Sequence, residues 1–309
     1  MKDCLIFGGN GFIGSHLAEA LVDGGYRVTV FDSFKGGMKN LERIQDRIKL
    51  IRGDFFSDTD VAAALQDAEY VFHYISTTNP ATAVKNPVFD IQSNVIGSVK
   101  MFQNAQKAGV EKIFFSSSGG TIYGEPSSIP ISESAPTNPV NPYAISKLAI
   151  ERYLEFFYEQ SGMEYVIFRY SNPYGERQNP LGGQGVIPIF LNKIKNNEPP
   201  MIFGDGNSVR DYIYIKDAID ATLGIVKKEP RGCSFNIGYG CGTTLNELVE
   251  IMQEVTGKNV TPEYLPDSKN YISKIVLDIS KIHAETGWSP TTEIKTGIHM
   301  TWDWINKNE

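Results

Sequence analysis

Short apolar runs alternate with helix-period segments through the first half of the chain. Residues 5–7, 27–31, 48–52, 70–73, 112–116 and 165–170 are rich in β-branched and aromatic side chains and bounded by turns, which predicts strands. Between them apolar positions recur at helical spacing, as in Ser15-His16-Leu17-Ala18-Glu19-Ala20-Leu21. Strands joined through helices return in the same direction and pair in parallel. The pattern therefore predicts an α/β fold built on a doubly wound, Rossmann-type parallel sheet. From Ser171 onward it loosens into connections such as Asn179-Pro180-Leu181-Gly182-Gly183-Gln184-Gly185, with a helix expected at about 188–197. Such loops suit a smaller, discontinuous C-terminal lobe set on a rigid scaffold. Residues 211–215 with the helix after them, and 234–238, read as elements returning to the sheet domain. The expected division is 1–170 plus about 211–240 for the sheet domain, and about 171–210 plus 241–309 for the lobe.

At the first strand-to-helix junction, Gly8-Gly9-Asn10-Gly11-Phe12-Ile13-Gly14 follows the run Cys4-Leu5-Ile6-Phe7. Side chains are missing where a backbone must approach a pyrophosphate, and the following helix points its free N–H groups at the anion. Glycine turns also close such junctions for packing alone, and this chain has 29 Gly. The next predicted strand narrows the reading. It ends in Asp32, about 20 residues beyond the turn, where a carboxylate takes both ribose hydroxyls and repels a 2′-phosphate. NAD is thus favoured over NADP, held by Gly8, Gly11, Phe12, Ile13, Gly14 and Asp32, with Ser33, Lys35 and Gly36 beside them.

Composition sets outer limits. A length of 309 residues accommodates a large α/β unit plus a lobe with core enough to fold without staples. No apolar run is long enough to span a membrane, and Met1-Lys2-Asp3 leads straight into a strand, so a cytoplasmic protein without a signal peptide is expected. The net charge of −7 argues against nucleic acid as a partner. Cys4, Cys233 and Cys241 lack paired metal spacing and the four His are dispersed, so packed, reduced thiols and no metal site are expected.

The chemistry concentrates in Asn141-Pro142-Tyr143-Ala144-Ile145-Ser146-Lys147. Asn141 suits an N-cap and Pro142 the first helical position, so Tyr143 and Lys147 share one helical face. A neighbouring ammonium and a helix N-terminus both favour a phenolate, which makes Tyr143 a candidate general base. Among 15 Tyr one such pair arises by chance. Its weight comes from its place, after a strand ending in Ser116-Ser117-Ser118 and downstream of a dinucleotide turn, as hydride transfer requires.

Several motifs occur together in order: the glycine turn, Gly53-Asp54, Val71-Phe72-His73, Asn94, the serine-rich strand end before Tyr123-Gly124, the Tyr143/Lys147 pair, Arg169-Tyr170-Ser171-Asn172-Pro173, and Val209-Arg210-Asp211-Tyr212. On them the chain, from Lys2 to about Trp304, resembles the extended short-chain dehydrogenases/reductases, and within these the nucleotide-sugar 4-epimerases of UDP-glucose and UDP-galactose. The resemblance implies that Asp54 and Phe55 hold the adenine, that Tyr74, Ile75 and Ser76 lie along NAD, and that Asn94, Tyr170 and Lys147 help seat it. It places Asn172 and Arg210 at a diphosphate, Met201 and Phe203 near a base, and Thr78 and Val186 along the pocket wall. Core packing is the plainer account of Met201, Phe203 and Val186, as it is of His73 at its strand end. The implied substrate is a nucleotide-sugar, a UDP-hexose, epimerised through a transient 4-keto sugar. The implied assembly is a homodimer through long helices at about 89–107 and 143–160.

Two positions depart from that pattern. Where the epimerases carry a hydroxyl that steadies the reacting oxygen, this chain has Gly119, leaving Ser118 and Thr121 as the nearest donors. Where they carry a second phosphate-binding Arg, it has Asp267-Ser268. A 4,6-dehydratase or a sugar-acid decarboxylase needs a carboxylate in the turn, which Gly119-Gly120-Thr121 lacks. A 4-keto reductase would use the same Tyr/Lys pair, and a non-catalytic NAD-binding protein would have no use for it.

Overall fold

The structure, a computed structural model, describes residues 2–266 and 272–307. Asp267 and Ser268 lie outside the described residues. The six expected strands form as β1 (Asp3–Phe7), β2 (Arg27–Asp32), β3 (Lys49–Arg52), β4 (Tyr70–His73), β5 (Lys112–Ser118) and β6 (Glu164–Tyr170). After them come β7 (Asn172–Tyr174), β8 (Met201–Phe203), β9 (Val209–Tyr214), β10 (Cys233–Ile237), β11 (Gly242–Thr244), β12 (Glu263–Leu265) and β13 (Lys274–Ile275). One seven-stranded sheet runs β10-β6-β5-β4-β1-β2-β3, and its β5-β4-β1-β2-β3 portion is parallel. Strand order reverses at β1, and open α/β sheets bind ligands at the carboxyl ends of strands at such a switch point.

Helices on both faces bury this sheet. Cys4, Leu5, Ile6 and Phe7 are all buried, as a central parallel strand requires. Phe114 stacks between Phe72 and Phe168, with ring centroids 4.6 and 6.0 Å away. The expected helix over 89–107 is continuous but not uniform. It runs as an α-turn (Pro87–Asp90), a π-helical stretch (Ile91–Ile96) and an α-helix (Gly97–Ala108).

The chain divides into two compact units. The first comprises residues 1–118, 139–169 and 222–235, and the second 119–138, 170–221 and 236–309. β10 takes the edge place in the large sheet beside β6. β9, expected to return to that sheet, instead pairs with β7, β11 and β13 in the second unit. There the Asp211 carboxylate on β9 accepts from the backbone N–H groups of Tyr239, Gly240 and Leu277 at 2.7–3.2 Å. Among the described residues no helix is long and apolar enough to cross a membrane. Cys4 is buried, whereas Cys233 is half-buried and Cys241 exposed, so packing accounts for only the first.

Candidate active site

In the first unit the glycine turn closes on itself, with Gly11 N–H donating to Gly8 O at 3.1 Å and Ser15 N–H to Gly11 O at 3.0 Å. Gly8 has φ +79°, and a Cβ there would lie 2.8 Å from Ile75 N; one at Gly14 would lie 2.3 Å from Gly8 O. The turn thus lies bare against the backbone leaving β4. Its helix, Phe12–Asp23, has no side-chain cap, which leaves its first N–H groups to an anion. Asp32 reinforces the turn, accepting from Asn10 N–H at 3.1 Å and Phe34 N–H at 3.3 Å. Ser33 is half-buried, and Lys35 and Gly36 are exposed. These residues fit a dinucleotide pyrophosphate and its ribose. Asp32→Ala is expected to weaken NAD more than NADP in a fluorescence titration, and equal affinity of the unmutated protein for both would contradict the assignment.

Beyond the turn the expected cofactor residues separate by environment. Asp54 is exposed. The Phe55 ring is buried in the core, 5.7 Å from that of Phe7 and 5.6 Å from that of His73, so only its backbone is offered to an adenine. Tyr74 and Ile75 are half-buried and Ser76 exposed. Asn94 sits in the π-helical stretch with its carboxamide fully engaged. Its Oδ1 accepts from Thr77 N–H at 3.1 Å and its Nδ2 donates to Thr78 Oγ1 at 2.8 Å and Asp90 Oδ1 at 3.0 Å. Thr78, expected on a pocket wall, is buried and donates its hydroxyl to Asp90.

His73 proves to be packed and neutral. Ser98 Oγ donates to Asn94 O at 2.5 Å, so its contact of 2.7 Å with His73 Nε2 makes the imidazole the donor. Burial, with the nearby Lys147 charge, pushes the His73 pKa down to about 3.

Tyr143 and Lys147 stand where expected, on the helix Pro142–Ser161, whose N-cap Asn141 accepts from Ala144 N–H at 2.9 Å. Lys147 is buried, donates to Ser116 O at 2.8 Å, and lies 5.7 Å from the Tyr143 ring centroid and 4.9 Å from that of Phe115. Burial lowers its pKa to about 8 against the opposing pull of Asp90 and Glu151. The expected depression of Tyr143 is not found: burial, and then the Asp90 charge, push its phenol up to about 12. The lysine charge rests over the ring and on a carbonyl, and desolvation of the phenolate outweighs it. Beneath the pair, Glu151 accepts from Ser117 Oγ at 2.5 Å and from Arg169 Nη2 at 2.7 Å, all buried.

β5 ends at Ser118, half-buried, and Gly119–Tyr123 is turn, so strand alternation does not carry on to Thr121. Thr121, half-buried, belongs to the second unit. There Gly120 N–H donates to Tyr170 O at 3.2 Å, Tyr170 itself is buried, and Asn172 Nδ2 donates to Asp211 O at 2.9 Å. Arg210 is half-buried, with Nη1 on Val209 O and Nη2 on Ile272 O at 2.9 and 2.8 Å. Met201 and Phe203 are 42% and 56% exposed while Ile202 between them is buried, so the two project from β8 and core packing does not account for them. Val186, half-buried, opens the helix Val186–Lys195.

The profile of the NAD dependent epimerase/dehydratase family matches residues 4–238. A solved UDP-glucose 4-epimerase of Thermotoga maritima, bound to UDP-glucose, is 38% identical, with 99% of each chain covered and a TM-score of 0.93. One from Thermus thermophilus, in complex with NAD, is 32% identical over 99% of this chain and 100% of its own, with a TM-score of 0.91. A dTDP-4-dehydro-6-deoxyglucose reductase of Escherichia coli is 35% identical over 95% of this chain and 94% of its own.

Proposed function

The chain belongs to the NAD-dependent epimerase/dehydratase family, and on that basis we propose that it interconverts nucleotide-sugars of the UDP-glucose and UDP-galactose type by epimerisation at C4. The observation that carries this is the Tyr143–Lys147 pair at a capped helix start, in the unit that also holds the bare glycine turn. In this reading the glycine turn and Asp32 would hold NAD, Asn172 and Arg210 would bind the diphosphate, and Met201 and Phe203 would meet the base. NAD, when bound, supplies a hydride acceptor and a positive ring charge that favours the Tyr143 phenolate. Tyr143 takes the C4 hydroxyl proton and later returns it. Lys147, held by Ser116 O, keeps a positive charge beside the phenol and would hydrogen-bond the cofactor ribose. The hydride given up by C4 would return to the opposite face of the 4-keto carbon once the sugar has turned over, so the net reaction is redox-neutral. Incubation with a panel of nucleotide-sugars should yield C4 epimers of at least one.

A 4-keto reductase is the second reading, favoured by the similarity to the Escherichia coli reductase. Stoichiometric loss of NADH absorbance with a 4-keto nucleotide-sugar, without epimer formation, would establish it. The proposal includes a cytoplasmic homodimer. Val88, Phe89, Ile91 and Ile96 on one helical segment, and Ile145, Tyr153 and Phe156 on the helix packed beside it, are exposed apolar side chains. A second copy would cover them. Light scattering at micromolar concentration should give twice the 34.3 kDa chain mass, and a monomer would remove the claim.

A further inference from the structure

Asp90 is a fully buried carboxylate that the sequence does not single out. It lies where three segments of the first unit meet. Thr78, on the loop after β4, donates its hydroxyl to Oδ1; Asn94, on the π-helical stretch, donates Nδ2 to the same oxygen at 3.0 Å; Ser146, the neighbour of Lys147, donates its hydroxyl to Oδ2. A structural tie alone would be served by a neutral acceptor, because burying a charge costs far more than burying an amide. Here the charge faces ionisable groups. On the adjoining helix these are Lys147 and Tyr143, both of which sense it. The other ionisable groups around Lys147 are Glu151, which is paired with Arg169 and also favours the protonated lysine, and His73 on β4, which is uncharged.

We propose that Asp90 is a positioning residue for the reaction, whose carboxylate anchors the Ser146–Lys147 turn to the Asn94 segment and acts as counter-charge to the Tyr143–Lys147 pair. The inference rests on the reading of that pair as the proton-transfer machinery. A negative charge at Asp90 holds the proton on Lys147 and also on Tyr143. Asp90→Asn keeps the shape and most of the hydrogen bonds while removing the charge, so both groups lose their protons at lower pH.

The expected result for Asp90→Asn is a pH profile of kcat/KM with both limbs moved to lower pH, by about half a unit or more. A lower rate with both limbs unmoved would reduce Asp90 to a structural tie and overturn the proposal. Should the variant not fold, the unmutated protein carries the test. The 13Cγ resonance of Asp90 should shift through the pH range in which Lys147 titrates, and a resonance flat across that range overturns the proposal. Tyr143→Phe, assayed alongside, separates the two readings. Retained turnover in it defeats the catalytic assignment, whereas lost turnover with an unmoved Asp90→Asn profile defeats only the role given to Asp90.

Discussion

Replacing Tyr143 by Phe is expected to lower epimerisation by about 10²–10⁴-fold while NAD remains bound. The phenol is the group that would move the C4 proton, and Phe keeps its ring against Lys147 while removing the oxygen. Binding should therefore survive, and the loss should appear in kcat rather than KM. The same assay decides which hydroxyl substitutes for the side chain missing at Gly119. Removing one such donor costs about 10²–10³ in rate, so Ser118→Ala or Thr121→Val should show a loss of that order. Strand geometry would favour Thr121, but the chain turns directly after Ser118, so both are candidates. Should each variant stay within about threefold of the parent while Tyr143→Phe is inactive, neither hydroxyl is the donor.

What was legible in the chain was what depends on local spacing. The six strands follow from short β-branched and aromatic runs between turns, and the parallel pairing of β1–β5 from the helices that separate them. The bare turn at Gly8–Gly14 and the N-cap at Asn141 are local chemistry, and both stand as the residues imply. Tyr143 and Lys147 share a face because of helical periodicity alone.

The rest depends on tertiary surroundings. That Phe55 points inward beside Phe7 and His73 cannot be read from Gly53-Asp54-Phe55, because a strand end offers either face. The direction of the Tyr143 shift required knowing its burial and the presence of Asp90, which is distant in sequence. Asp90 itself sits in an apolar helical stretch as an ordinary surface acid would, and only its three donors reveal why it is buried. Likewise β9 looks like another buried sheet strand, and its pairing with β7, β11 and β13 depends on segments distant from it in sequence.

The largest stability effect is expected at Glu151, under the Lys147 turn. Its carboxylate is fully buried and is shared by Arg169, which is 5% exposed, and by Ser117. Glu151→Gln keeps the volume but leaves the guanidinium buried without an anion, and breaking a buried pair from one side costs about 3–5 kcal/mol. For a chain of this size that corresponds to a fall in Tm of roughly 5–10 °C, readable by calorimetry. The pair need not be worth that much in itself. Its attraction mainly offsets the cost of taking two charges out of water, so an apolar replacement of both partners, Glu151→Leu with Arg169→Met, should recover much of the loss. A double variant as unstable as Glu151→Gln would show that the ion pair, rather than the uncompensated charge, carries the effect. Glu151→Gln also removes one of the two carboxylates that hold the proton on Lys147, so its alkaline limb should fall at lower pH than that of the parent.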